Sequence, residues 1–457
     1  MTPGKILYYS TNGNAPKVSF SDALLKGLAP DNGLYMPDHI PPLDKVVLKR
    51  LSGKPYHEIA FIIAQNFLYN EIAAEDLQLL VRDAYNFKVP LVKVYGRNYI
   101  MRLDQGPTAS FKDFAARMMG RLMQYFLQKQ NRKMLILTAT SGDTGSAIAN
   151  AFYGLDNIQV VILFPENEVT PRQRKQMTTL RKNIKIISLQ GKFDDCQAIV
   201  KRAFMDESLV RLNLSSANSI NIGRLLPQSF YYFYAWSQLA RTTDSEPVIF
   251  SVPSGNFGNI MGGLLAKKMG LPVKRFVIAT NENDEVPVYW QTGKYATIVP
   301  SRNCISSAMN VGHPGNMARV IALYGGSMDE KGNILKEPDI RQMRADIFAV
   351  SINDNRTTEV LKETYNHYGV LTEPHGAAGW AGLLEYFKQY PSDGLEDQLA
   401  ISLETAHPAK FPEEIRTLLG IEPELPASMD GLDHSEESFD RLDNNYEQFR
   451  DYLKTRY

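Results

Sequence analysis

Cysteine is nearly missing from this chain. Only Cys196 and Cys304 occur in 457 residues, far apart and without the CxxC spacing of a zinc or redox site. A disulfide scaffold is excluded, and a reduced compartment, the cytoplasm, is expected. An excess of charge is lacking as well. The 50 basic residues meet 50 acidic ones, which removes the electrostatic case for nucleic acid or an anionic membrane surface as a partner. Long apolar runs are also absent: stretches such as Ile158 to Phe164 fall far below bilayer length. The opening MTPGKILYYSTNG has only a short apolar stretch before polar residues, so neither a membrane span nor an export signal is expected. No internal repeat is present. The chain is long enough for two or three domains and a buried active site, and its expected ligand is a small molecule.

What the sequence does have is a recurring unit: a short apolar, β-branched run, then a Gly/Ser/Asn/Asp turn, then a helical pattern. The best runs are Met134 to Thr140, Ile158 to Phe164, Ile184 to Leu189, Val248 to Val252, Val273 to Thr280 and Leu399 to Leu403. Strands that are apolar throughout, with no alternation, belong in a parallel sheet covered on both faces, so the fold class is α/β. Residues 1 to 95 differ. The turn-rich GLAPDNGLYMPDHIPPL (27 to 43) is followed by helical patterns, which sets this part off as an N-terminal unit. After Pro423 the chain turns acidic around Asp430 to Glu437, and a terminal helix is expected from Asn444 to Arg456, in a tail that is solvated or a packing accessory.

Five segments carry chemistry. In DQGPTASFKDFAARMMGRLM (104 to 123), apolar residues from Phe111 to Phe126 recur at helical spacing, and Ser110 with Asp113 reads as a capping box. Lys112 then lies in the first turn, where a cation opposes the helix dipole. It is either a solvated surface lysine or an amine whose pKa the dipole lowers until it can form a Schiff base. In TATSGDTGSAIANAF (138 to 152), a strand enters a loop of small residues and a helix begins near Thr144 or Ser146. Its N–H groups and hydroxyls suit a carboxylate, unless the glycines serve only close packing. The lysine of a Walker loop is missing.

SVPSGNFGNIMGG (251 to 263) is again strand, loop and helix. Gly255 and Gly258 permit close approach of backbone to an anion, and successive N–H groups suit a phosphate; the plain alternative is a tight turn. In ISLETAHPAKFPEEI (401 to 415), Thr405 lies just past the carboxyl end of a strand, the edge where open α/β sheets bind ligands, and a helix starts at Pro412. His407 and Lys410 are expected to be structural or solvent-facing. Arg224, in NSINIGRLLPQSFYYFYAW (218 to 236), opens an apolar helical stretch. It is a surface residue or, with Asn221 as a weaker companion, a grip for phosphate.

Taken together, GLAPDNGLY, SFKDF, ATSGDTG, NSINIGR, SGNFGN and ETAHPAKF, in that order and spacing, resemble the threonine synthase family of pyridoxal 5'-phosphate enzymes, within the tryptophan-synthase-β-like, fold type II group. The resemblance spans nearly the whole chain. It implies two parallel-sheet α/β domains with an N-terminal accessory domain (1–95): a larger cofactor-binding domain from 96–125 and 225–425, a smaller one from 126–224, and a tail from 426–457. It implies that Lys112 holds the cofactor's aldehyde, that Gly255, Asn256, Phe257, Gly258 and Asn259 bind its phosphate, and that Thr405 meets its pyridine nitrogen. It further implies that Ser141, Gly142, Asp143 and Thr144 take the substrate's α-carboxylate, while Arg224 and Asn221 take its phosphate.

The reaction so implied converts O-phosphohomoserine and water into threonine and phosphate, by γ-elimination and then β-addition of water, in a monomer or homodimer. No metal is expected. Two other readings stay open. A dehydratase or phospho-lyase on the same fold would yield a keto acid, and a non-catalytic phosphate-binding protein would use its glycine loops for packing alone.

Overall fold

A computed structural model describes residues 4–241, 245–395 and 397–457; the first three residues of the opening segment lie outside it. In chain order, β1 (Tyr8–Ser10) and β2 (Tyr35–Pro37) pair antiparallel. They are followed by β3 (Leu91–Tyr95), β4 (Asn98–Arg102), β5 (Met134–Ala139), β6 (Ile158–Pro165), β7 (Ile184–Gln190) and β8 (Leu214–Ser216). Then come β9 (Val248–Pro253), β10 (Val273–Thr280), the short pair β11 (Ser327–Met328) and β12 (Ile334–Lys336), β13 (Ile347–Ser351), β14 (Leu399–Glu404) and β15 (Asp440–Asp443).

Among the described residues these strands make two main sheets. One has six strands in the order β13-β10-β9-β14-β4-β3 and the other five in the order β15-β7-β6-β5-β8. Every pairing in both is parallel except β3 with β4. The apolar runs produce this arrangement. All residues of β5, β9 and β14 are buried, as a sheet covered by helices on both faces requires. The chain belongs to the α/β class that its patterning predicts.

Two expected borders cut across these sheets. Leu91–Tyr95, counted with the N-terminal unit, is the antiparallel edge of the six-stranded sheet. In the tail, β15 extends the five-stranded sheet alongside β7. The terminal helix, Tyr446–Arg456, is capped by Asn445, whose side chain accepts from the Gln448 N–H at 3.0 Å. It buries Tyr446, Phe449 and Leu453 among Leu135, Leu137, Val161 and Cys196. The tail therefore completes a core: of the two expectations, solvated or packing accessory, the second holds. Its strand went unread because β15 is DRLD and only half buried, an edge strand with no apolar run to announce it.

The long helix Lys112–Lys129 buries Phe114, Ala115, Met118, Met119, Leu122, Met123 and Phe126, the period predicted for it. Its start differs from the expected cap. Phe111 occupies the cap position and no side chain closes it. The Asp113 carboxylate instead accepts from Thr108, N–H at 2.8 Å and hydroxyl at 2.7 Å. Residues 104–111 must turn sharply to reach the helix, and Asp113 holds that turn. Three loops leave the carboxyl ends of β5, β9 and β14, the edge where such sheets bind ligands. No described helix is long and apolar enough to cross a membrane.

Candidate active site

Lys112 reaches its position through two distant segments. The Phe111 N–H donates to the Thr405 carbonyl at 2.9 Å and the His407 N–H to the Ala109 carbonyl at 3.0 Å, with a bridge between Ser110 and Ala406. The stretch beyond β14 is thus zipped to the stretch before the helix, and Thr405 and Lys112 line the same cleft. The Lys112 side chain is only 15% exposed, and its Nζ lies 3.7 Å from Asp143 Oδ2. Its pKa is lowered, mainly by burial; Asp143 opposes that shift, while Lys410 and Arg224 add to it. The expected direction holds, but desolvation and neighbouring cations are the cause in place of the helix dipole.

On the second wall, Phe257 caps helix Gly258–Lys268 in the left-handed region, at φ 60°. A bulky residue there is strained by about 1 kcal/mol or more, and its ring is held by near-complete burial, 2% exposed. The turn aims backbone into the cleft. Among the described residues, none of the five N–H groups from Gly255 to Asn259 has a hydrogen-bond acceptor in the protein. Asn259 adds a side-chain donor: Oδ1 accepts from the Tyr231 and Tyr232 hydroxyls at 2.6 and 2.7 Å, while Nδ2, also buried, has no partner. A side chain at Gly255 would stand 2.8 Å from the Ala308 carbonyl.

The third wall is the loop after β5. Gly142, at φ 133°, caps helix Asp143–Phe152, and a side chain there would meet Gln173 Oε1 at 2.6 Å. The Thr140 hydroxyl accepts from the N–H groups of Gly142 and Gly145 at 2.9 and 2.8 Å. The N–H groups of Asp143 and Thr144 are left without a protein acceptor, at the positive end of a helix. Of this loop only Asp143 and Thr144 line the cleft; Ser141 is exposed and Gly142 packs on Gln173.

Arg224, 3% exposed, closes the cleft opposite. Its Nη1 donates to the Ala217 carbonyl at 2.8 Å and its Nε is buried with no partner. Burial pushes its pKa down to about 10, which leaves it charged at neutral pH. Asn221 does not join it. Both amide donors are spent, on the carbonyls of Leu24 and Ser216 at 2.9 Å each, and its oxygen caps the short helix Ile222–Leu225. The expectation that Asn221 contacts substrate is corrected: it ties the Arg224 segment to the N-terminal unit, so its conformation leaves no donor for the cleft.

Sequence reasoning missed several groups. Lys410, expected to be structural or solvent-facing, has a side chain with no exposure and donates to Asp143 Oδ1 at 2.6 Å. His375 lines the cleft; its Nδ1 is bonded to Glu373 and its Nε2 accepts from the Ala308 N–H at 3.0 Å. The available signal was a histidine at the start of a small-residue helix, EPHGAAGW, preceded by a strand-like run, the same pattern that marks the other loops.

Comparison with known proteins agrees with this geometry. Residues 87–401 match the family model described as pyridoxal-phosphate dependent enzyme. Residues 7–85 match the threonine synthase N terminus and residues 384–453 the threonine synthase C-terminal model. The threonine synthase of Haemophilus influenzae is 39% identical over 451 residues, covering 97% of this chain and 99% of that one. A solved structure of pyridoxal-phosphate-bound threonine synthase from Brucella melitensis superposes with a TM-score of 0.91 at 35% identity, covering 99% of both chains. That of the yeast enzyme gives 0.89 at 31%, covering 98% of both. A buried lysine facing five free N–H groups, in a chain matched nearly end to end by such relatives, leaves one assignment: the chain belongs to the threonine synthase family of pyridoxal-phosphate-dependent enzymes.

Proposed function

We infer that the cleft around Lys112 carries out the family's reaction, converting O-phosphohomoserine and water into threonine and phosphate. The observation that carries this reading is the buried Lys112 amine, set among a loop of unpaired N–H groups at 255–259, a second pair at 143–144 and the charged, partly unpartnered Arg224.

The residues present fit pyridoxal phosphate. Five free N–H groups and the unpartnered Asn259 Nδ2 suit its phosphate, which oriented dipoles hold without a cation. Lys112 would hold its aldehyde carbon, and the Thr405 hydroxyl would meet its ring nitrogen. When bound, the cofactor supplies an electron sink for negative charge developing on the substrate's carbons.

The chain's own residues supply the rest. The N–H groups of Asp143 and Thr144 hold the α-carboxylate, with Ser141 and Gly142 shaping that turn. Lys112, whose pKa burial lowers, takes the α-proton and returns protons at the neighbouring carbons. Arg224 holds the substrate phosphate and, with a guanidinium that stays charged, favours its departure. Thr405 would offer the ring nitrogen a hydroxyl and no carboxylate, so nothing at that position would enforce protonation of the ring. The same reading has the enzyme act on this small molecule in the cytoplasm, without nucleic acid, as a monomer or homodimer.

The test is a steady-state assay with O-phosphohomoserine that measures both products. Threonine and phosphate in equal amounts are expected, with turnover lost in Lys112→Ala. Formation of 2-oxobutyrate and ammonia instead would make the protein a phospho-lyase, and normal turnover by Lys112→Ala would remove the proposed base.

A further inference from the structure

Asp143 sets a problem for the carboxylate-binding loop. Its own N–H and that of Thr144 are the free donors, so a second carboxylate is to bind beside a residue that already carries one. Like charges a few ångströms apart repel strongly in a site shielded from water. The same aspartate also faces Lys112, 3.7 Å from its Nζ, and favours a protonated amine where a neutral one is needed.

Lys410 answers both difficulties. It ends the turn Pro408–Lys410 that follows Thr405. Its side chain, with no exposure, donates to Asp143 Oδ1 at 2.6 Å and to the Thr108 carbonyl at 2.9 Å. Gln173 Nε2 donates to the same Asp143 oxygen at 2.9 Å. One carboxylate oxygen of Asp143 is thereby held by both Lys410 and Gln173. Burial alone would raise its carboxyl pKa, but Lys410 and then Lys112 hold it well below the usual range, so it remains an anion.

We propose that Lys410 is a positioning residue for substrate recognition: it neutralises and fixes Asp143, so that a loop containing an aspartate accepts the α-carboxylate of the amino-acid substrate. This rests on the reading of the 141–144 loop as the carboxylate site. Lys410 does not line the cleft and acts through Asp143. The three segments that meet here, 108, 143 and 410, come from three parts of the chain, and a lysine with no exposure needs such a partner to be tolerated at all.

The experiment compares two ligands on the cofactor-loaded enzyme: O-phosphohomoserine, and 3-aminopropyl phosphate, which has the same amine and phosphate but no carboxylate. KM and kcat are measured for O-phosphohomoserine, the inhibition constant of 3-aminopropyl phosphate is measured in the same assay, and the ratio of that constant to KM is the preference; the visible band of the bound cofactor is titrated with pH. In Lys410→Met the preference for the carboxylate-bearing ligand is expected to fall at least tenfold, with KM rising more than kcat falls. The pH midpoint of the cofactor band is expected to move up, because one cation near Lys112 is gone. In the double variant Asp143→Asn, Lys410→Met, which is neutral at both positions, most of the lost preference and the midpoint are expected to return. Urea unfolding of the cofactor-free proteins is expected to show the single variant destabilised and the double variant recovering part of the loss.

An unchanged ligand preference in Lys410→Met, or a double variant as impaired as the single one, would overturn the proposal. If Lys410→Met does not fold, the double variant decides: it must still favour the carboxylate-bearing ligand over the amine alone. Equal binding of both ligands by the unaltered enzyme would be a different failure, that of the carboxylate site itself.

Discussion

The two tyrosines behind Asn259 offer a sharp test of the phosphate site. An asparagine side chain presents an oxygen or an NH2 group by a half-turn of its amide, and only the NH2 can bind an anion. Here the choice is made by Tyr231 and Tyr232, whose hydroxyls both donate to Asn259 Oδ1, at 2.6 and 2.7 Å, and so leave Nδ2 as the end of the amide without a partner. Tyrosine to phenylalanine removes only the hydroxyl. Rings such as Tyr232, packed edge-on against Phe250 at 4.9 Å between centroids, keep their contacts. A neutral hydrogen bond contributes about 1 kcal/mol, and 1.4 kcal/mol is about tenfold in affinity. Tyr231→Phe or Tyr232→Phe alone should therefore weaken pyridoxal phosphate binding about fivefold, and the pair together about tenfold to thirtyfold. The assay is an absorbance titration of cofactor-free protein, with Asn259→Ala alongside as the limit. Should the doubly substituted protein bind like the unaltered one while Asn259→Ala binds much more weakly, the hydroxyls do not orient the amide. Unchanged binding in all three would remove Asn259 from the phosphate site.

Other expectations follow from single contacts. Gly255→Ala sets a methyl 2.8 Å from the Ala308 carbonyl and 3.0 Å from Met309 Cα, backbone on both sides, so a loss of about 1–3 kcal/mol in stability and weaker cofactor binding should appear in thermal unfolding with and without pyridoxal phosphate. Phe449→Ala empties a fully buried position that the C-terminal helix fills in the smaller core; urea unfolding should show a loss of about 3–5 kcal/mol, and a loss near zero would mean that the tail contributes nothing to that core. Glu437 anchors that tail to Arg174 at 2.8 and 2.9 Å. Burial would raise its pKa, but the hydrogen bonds from Arg174 and Thr178 prevail and lower it. Its contribution is thus present above the ordinary glutamate range and lost as pH falls through the depressed value. Protection of β15 and the last helix against hydrogen exchange, relative to the intrinsic rate at each pH, should fall in acid, and Glu437→Gln should show the lower protection already at neutral pH.

Much of this could be read from residue order alone. Met134 to Thr140, Ile158 to Phe164 and Leu399 to Leu403 are strands to within a residue or two, because a run apolar on both faces has few other places to go. Lys112, Gly255, Phe257, Asn259, Thr405 and Arg224 were singled out and do line one cleft. Strand ends followed by small-residue turns mark loops at one edge of a parallel sheet, and that edge is where ligands sit. Three details were out of reach. The cap at Lys112 was misassigned because Ser110 and Asp113 have the spacing of a capping box, while Thr108, in the turn before, outcompetes the serine for the carboxylate. Asn221 was misassigned because its amide partner is the Leu24 carbonyl, nearly two hundred residues away. The strand β15 was overlooked because an exposed edge needs no apolar pattern.

What the residue order determined by itself, then, is the alternation of buried strands and amphipathic helices, the small-residue loops and the reactive amine placed at a helix start. Local sterics and the burial of apolar side chains act over a few neighbours, and so leave a readable trace. What only the tertiary structure decided is the electrostatics of that amine. Its lowered pKa depends on desolvation and on the charges of Asp143, Lys410 and Arg224, brought together from segments distant in the chain. A Coulomb interaction depends on separation in space and on the water excluded between charges, and neither quantity exists until the chain has folded.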